Sequence, residues 1–182
     1  MKNNLIGLAV LLDDFAFNFA RKLEIDISKK FHTKKGLNQS PHITIKRPFE
    51  CDDKMFSDVS EYVEKLSEET DPFSITIDGF DFFEPTVVYL NIKPSNELLE
   101  LHKRINKDLL NKFSIEIGPR EGENVVFHST IALEDISEET FYKIKEYVLN
   151  IPFQHTFNLR KIGLFYKEDD YWIIAKKVTA LR

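Results

Sequence analysis

The 182-residue chain carries 30 acidic against 25 basic residues, for a net charge of −5, and is 42% apolar and 13% aromatic. That length and apolar content fit one globular domain with a substantial core, while the acidic balance excludes a long basic track along a nucleic-acid duplex, because such binding needs many Lys and Arg facing phosphates. A single cysteine, Cys51, excludes an intrachain disulfide, and no Cys-x-x-Cys or His-Glu-x-x-His spacing suggests zinc.

Taken in order, Leu5–Leu12 is a continuous apolar run of strand length, as expected in the middle of a sheet. It imitates the core of a signal peptide, but Asp13 and Asp14 follow directly and no small-residue cleavage site appears, so the expectation is a cytoplasmic protein without a membrane span. Ala16, Phe19, Ala20, Leu23, Ile27 and Phe31 follow helical spacing behind an Asp13 or Asp14 cap, with Gly36 as the expected terminator. Pro41–Phe49 reads as a strand, and Phe56, Val59, Val63 and Leu66 mark an amphipathic helix behind Asp52 and Asp53, stopped at Asp71-Pro72. Phe73–Phe83 and Thr86–Lys93 read as an antiparallel pair around Glu84-Pro85, and Ser95 caps a helix that buries Leu98, Leu101, Ile105 and Leu109. The Gly118–Gly122 loop leads into a strand over Val125–Leu133, Ser137 opens a fourth helix closed by Pro152, and Phe153–Tyr166 and Tyr171–Val178 form the last strands.

Two stretches in this series share a pattern. His42-Ile43-Thr44-Ile45 and His128-Ser129-Thr130-Ile131 both read His, any residue, Thr, Ile, at a spacing of 86 residues. On a strand the His and Thr of each stretch share one face, about 6–7 Å apart. Each motif strand is preceded by a helix and followed by a helix and two strands, so the chain is read as one domain of two pseudo-symmetric halves, about 1–85 and 86–182. That period is too long for a solenoid array. Two lobes packed about a pseudo-two-fold axis would bring the His-x-Thr pairs together.

An imidazole with an ordinary pKa of about 6.5 can take or give a proton near neutral pH, and a nearby hydroxyl can donate to a phosphoryl oxygen as charge builds on it. Around this core Lys46 shares the parity of His42 and Thr44 and is expected at the cleft rim, whereas Arg47 has the opposite parity and is read as facing away unless Pro48 twists the strand end. Arg120, in the Gly-Pro loop, could close over a phosphate or base, and Phe49 and Tyr166 could stack on a nucleobase. His32, His102 and His155 lack the Thr two positions on and are read as structural or exposed.

In length, repeat order and motif placement the chain resembles the two-histidine (2H) phosphoesterases, among them the 2′-5′ RNA ligase and RNA 2′,3′-cyclic phosphodiesterase family. Ser129 departs from the pattern, standing where an apolar residue is usual. The resemblance implies a bilobal α+β fold with two antiparallel sheets facing each other across a central cleft and helices on the outside. It implies hydrolysis of a 2′,3′-cyclic phosphate on a nucleotide or RNA end without metal or other cofactor, with His42 and His128 catalytic and Thr44 and Thr130 on the phosphate. It also implies His128 as base and His42 as acid, an assignment that pseudo-symmetry leaves open. The alternatives are hydrolysis of 2′-5′-linked oligoadenylate or another nucleotide-derived diester, and a module that binds RNA ends or nucleotides without turnover. The expected partner is a small nucleotide or an RNA terminus, met by a monomer.

Overall fold

The structure, a computed structural model, describes residues 4–181, and the side chains of all of these but 176–180. Among the described residues, eight strands form two four-stranded antiparallel sheets. One sheet runs β2-β1-β7-β8, built from β2 (His42–Cys51), β1 (Asn4–Leu11), β7 (Lys161–Glu168) and β8 (Tyr171–Ala180). The other runs β5-β4-β3-β6, from β5 (His128–Leu133), β4 (Val87–Lys93), β3 (Phe73–Phe83) and β6 (Gln154–Leu159). The apolar first strand lies inside its sheet as its continuous hydrophobic run predicts, with Ile6, Leu8 and Val10 at 1% exposure or less.

The four helices begin where the sequence places caps. The Asp13 carboxylate accepts the Ala16 N–H ahead of α1 (Asp14–Phe31), and Asp52 does the same for Met55 ahead of α2 (Asp53–Glu68). Ser95 and Ser137 accept from Leu98 and Thr140 ahead of α3 (Asn96–Phe113) and α4 (Glu138–Leu149). All four lie on the outer faces of the sheets: α2 and α3 against the β1 sheet, α1 and α4 against the β4 sheet. Each helix presents an apolar stripe, such as Leu98, Leu101, Ile105 and Leu109 of α3, to a single continuous core.

Neither sheet belongs to one half of the sequence. β3 leaves the first half to pair with β4, while β7 and β8 return from the second half to flank β1. The run expected as one strand over Phe153–Tyr166 is two strands in different sheets, separated at Arg160. The second motif strand begins at His128 rather than Val125, because the preceding carbonyls and amides are used otherwise: the Val125 N–H bonds the Gly122 carbonyl, and the Val126 carbonyl accepts from a side chain.

Helix α1 ends at Phe31, with His32 in the left-handed conformation at φ 58°, so Gly36 is not its terminator. Gly36 instead sits in a 3-10 turn, Lys35–Asn38, which leads into β2. A Cβ there would lie 2.5 Å from the carbonyl oxygen of Ile131 on β5, so only glycine allows this segment to rest on the second motif strand. The Asp135 carboxylate pins the same segment, accepting from the Thr33 hydroxyl and from the amides of Lys34 at 2.6 Å and Lys35 at 3.1 Å. Gly36→Ala is therefore expected to lower stability by about 1–3 kcal/mol through overpacking, read as a fall in Tm. Gly122→Ala, where no atom lies within 4 Å of an added Cβ, serves as the control. Equal Tm values for the two variants would show that the segment is not seated against β5.

Candidate active site

Strands β2 and β5 are the edge strands that meet at the floor of the cleft, and they carry the two motifs. Along β2, Ile43 and Ile45 are buried at 1% exposure or less while His42 and Thr44 are half-buried; along β5, Ser129 and Ile131 are buried and His128 and Thr130 half-buried. The alternation then breaks at the same place in both copies. Ala9 pairs with Thr44 but Leu8 pairs with Lys46, so Ile45 is an extra residue in β2. Tyr89 pairs with Thr130 but Val88 pairs with Ala132, so Ile131 is the corresponding extra residue in β5. A bulge of this kind places two successive residues on one side: here Ile45 and Lys46 in one copy, Ile131 and Ala132 in the other, all at 2% exposure or less.

The imidazoles are anchored alike. Nδ1 of His42 lies 2.7 Å from the Ser40 carbonyl oxygen, and Nδ1 of His128 lies 2.8 Å from that of Val126, in each case two residues back. A carbonyl only accepts, so Nδ1 carries the proton and Nε2 is left with a lone pair in the neutral ring, or a second N–H in the cation. Packing fixes the ring planes: Phe165 lies 4.5 Å from His42, and Phe83 and Tyr89 each lie 5.1 Å from His128. Both pKa values are lowered from 6.5. For His42 burial dominates, opposed by the Ser40 bond and reinforced by the neighbouring charge of His128. For His128 burial again dominates, opposed by the Val126 bond and reinforced by Arg47.

Lys46 is not at the rim, because the bulge turns it inward. At 2% exposure its ammonium donates to Glu121 Oε2 at 2.7 Å, the Glu116 carbonyl at 2.7 Å and Asn106 Oδ1 at 3.1 Å, one acceptor for each of its three donors. Lys46 pairs with the buried Leu8, and Arg47, the next residue, is exposed rather than buried behind it. The Glu121 carboxylate also accepts the Arg47 and Gly118 amides, and the buried ring of His102 spans the carbonyls of Ile45 and Glu121 at 2.9 Å each.

The remaining candidates are spread around this floor. Arg120 is exposed on the loop at φ 68°, and its neighbour Pro119 offers the carbonyl that holds the Arg47 guanidinium at 3.0 Å. Phe49 packs against the core and, with Leu5, Arg47, Pro48 and Pro119, lines a depression of about 440 Å³. Tyr166 packs on the core side of β7, and its neighbour Phe165 is the aromatic that meets His42. Sequence reading missed Phe165, Phe83 and Tyr89; the signal, their register opposite the motif strands, becomes visible only once strand order is known. His155 pairs with Asp13 at 2.9 Å, away from the motifs. Ser129 points into the core as its parity predicts, and its hydroxyl has no hydrogen-bond partner among the described residues.

The sequence model of the 2′-5′ RNA ligase superfamily matches residues 13–170, a span that contains both motifs. The chain belongs to that superfamily. An Oceanobacillus iheyensis relative named "Putative phosphoesterase" is 32% identical over 106 residues, 57% of this chain and 58% of the relative. One from Geobacillus sp. (strain WCH70), with the same name, is 36% identical over 72 residues, 38% and 42% of the two chains. The matched regions thus span about half the length of these curated relatives. Among solved structures, a crystal structure of a phosphoesterase superposes with a TM-score of 0.64 at 15% identity over 99% of both chains. Escherichia coli LigT superposes with a TM-score of 0.62 at 14% identity over 100% of this chain and 99% of LigT. This chain therefore has the LigT-like fold. LigT itself has been crystallised with phosphate, 3′-AMP and ATP.

The buried ion pair generates a stability prediction. Lys46→Met leaves the Glu121 carboxylate buried without its cation and is expected to cost about 3–5 kcal/mol. The double variant Lys46→Met/Glu121→Gln is expected to lose less than the sum of the two single losses. Urea unfolding of the four proteins measures this, and strict additivity would rule out the coupling.

Proposed function

We propose that the protein is a metal-independent phosphodiesterase that opens a 2′,3′-cyclic phosphate on a nucleotide or RNA end, with His42 and His128 as the acid–base pair. The observation that carries this reading is the matched presentation of the two rings, each fixed through Nδ1–H to a carbonyl two residues back and each beside a threonine hydroxyl on the same face. Nucleotide and phosphate complexes of LigT, which shares the fold, are consistent with a ligand of this size and charge.

In this mechanism Nε2 of neutral His128 takes a proton from water as the water oxygen bonds to phosphorus. The bond from phosphorus to a ribose oxygen breaks, and Nε2–H of protonated His42 passes its proton to that oxygen, giving a phosphomonoester and a free hydroxyl. Thr44 and Thr130 donate to the non-bridging oxygens as charge accumulates there. Arg47 disfavours protonation of His128, and burial together with the charge of His128 disfavours protonation of His42, so the division of roles rests on the family resemblance rather than on the two lowered pKa values.

His42→Ala and His128→Ala are each expected to lower kcat/KM by about 10²-fold or more, measured by product analysis with the four nucleoside 2′,3′-cyclic phosphates and a 2′-5′-linked oligoadenylate in the presence of a chelator. Full activity of either variant would sink the mechanism. The pH dependence follows from the two lowered pKa values. Activity needs one ring neutral and one charged, and both titrate below 6.5 in the free protein, so kcat/KM should trace a bell with its maximum on the acid side of that value. A bound phosphodiester anion favours imidazolium, so the kcat profile should lie at higher pH. A kcat/KM maximum above pH 7 would contradict the assignment.

A further inference from the structure

We propose that Arg47 is the phosphate-binding cation of the cleft, engaging the non-bridging oxygens of the scissile diester beside His128, and that Lys46 serves to hold it in place. The inference rests on the phosphodiesterase reading for the identity of the anion, but its geometric basis is separate.

Regular alternation from His42 puts Lys46 over the site and turns Arg47 away; the extra residue at Ile45 exchanges them. The exchange leaves Lys46 no capacity for substrate, since all three of its donors are taken by buried acceptors. Arg47, by contrast, is exposed, and its one side-chain hydrogen bond among the described residues, from Nη1 to the Pro119 carbonyl, uses one of five N–H donors. No carboxylate among the described residues forms an ion pair with it. A planar fork with free donors is the group that recognises a phosphate through two parallel bonds.

The side chain is also built into position. Its backbone amide donates to Glu121 Oε1 at 2.5 Å, the same carboxylate that neutralises Lys46, and the loop carrying Glu121 supplies the Pro119 carbonyl. Two successive residues of β2 are thus fastened to one loop, one by its side chain in the core and the other by its backbone and guanidinium at the surface. From this position the charge of Arg47 helps to lower the pKa of His128, after burial.

Pseudo-symmetry sharpens the point. The position equivalent to Arg47, 86 residues on, is Leu133, and the position equivalent to Lys46 is Ala132. The cation is therefore present in one copy only, and its charge acts on the ring of the other copy, His128. A phosphate drawn to Arg47 would meet His128 and Thr130 from a fixed side, which would give the substrate one orientation in an otherwise near-symmetric floor.

The test measures inorganic phosphate binding by calorimetry, KM and kcat on a nucleoside 2′,3′-cyclic phosphate, and the titration of the His128 ring by NMR. The proteins are wild type, Arg47→Ala, Arg47→Lys and, as control, Arg104→Ala, a surface arginine of α3 paired with Glu69 on the outer layer. Arg47→Ala is expected to weaken phosphate binding and raise KM by about 10-fold or more, the order of one lost charge-assisted pair. It should also move the His128 titration to higher pH, because a nearby positive charge has been removed. Arg47→Lys should recover the titration more fully than the binding, since an ammonium keeps the charge without the fork. Unchanged phosphate affinity and an unchanged His128 titration in Arg47→Ala would overturn the proposal, even if the cyclic phosphate is hydrolysed. Arg47-dependent phosphate binding without hydrolysis of any cyclic phosphate would uphold it while removing the phosphodiesterase reading.

Discussion

The site depends on one backbone irregularity made twice, to which β2 alone adds a second register shift between the pairs Leu8–Lys46 and Ile6–Phe49. A regular strand alternates its side chains with period two, so a motif of His and Thr on the cleft face would carry every second residue after them onto the same face. The extra residues Ile45 and Ile131 end that sequence two positions after each Thr. Beyond the bulge the strand presents two core residues in succession, and the sheet can continue under the helices. A bulge bends the strand that carries it, and β2 and β5 are the strands through which the two sheets touch.

The second constraint is the way in which the lobes are braced. Because β3 crosses to the second sheet and β7 and β8 return to the first, separating the lobes would require breaking strand ladders rather than opening a hinge. Carboxylates reinforce the crossing in both directions: Asp135, just after the second motif, holds the segment leading to the first, and Glu121, just before the second motif, holds the residues following the first. His102 adds a bond to the Ile45 bulge itself. Groups aimed into a cleft whose walls are linked in this manner keep their geometry before a ligand arrives, and preorganised donors are the ones that stabilise developing charge at little reorganisation cost.

The sequence made much of this legible, and the failures share one cause. Capping residues and apolar periodicity located four helices because both signals are local: Asp13, Asp52, Ser95 and Ser137 each accept the amide expected of a cap. The repeated motif marked two strands, β2 and β5, that stand at the edges of the two sheets, although each sheet draws strands from both halves of the sequence. Strand partners beyond the hairpins are not local, and the run from Gln154 to Glu168 contains no proline and only Gly163, so nothing in it marks the change of sheet at Arg160. The same limit governs the site. Strand parity placed His42, Thr44, His128 and Thr130 on common faces, but it failed at Lys46 and Arg47, because a bulge is a property of two paired strands and leaves no signature in one of them. Phe165 and Tyr166 are indistinguishable by composition; only the register against Gly7 and Ile6 decides which one faces His42.

Near-symmetry raises the question of what distinguishes the two histidines. For two imidazoles of equal pKa, half of the singly protonated molecules already carry the proton on the required ring, so a complete bias in proton distribution would gain a factor of two, about 0.4 kcal/mol. Proton placement is therefore a weak reason for asymmetry. A chiral substrate imposes a much stronger one, since a ribose cyclic phosphate that binds in two opposed orientations presents its leaving oxygen to the acid in only one. The departures from symmetry lie where such a substrate would be oriented rather than on the rings themselves: Tyr89 and Phe83 beside His128 against Phe165 beside His42, and Lys46-Arg47 in one copy against Ala132-Leu133 in the other. In the proposed mechanism the repeated motif supplies the pair of proton-transfer groups, and the differing residues around them would decide from which side a substrate can use it.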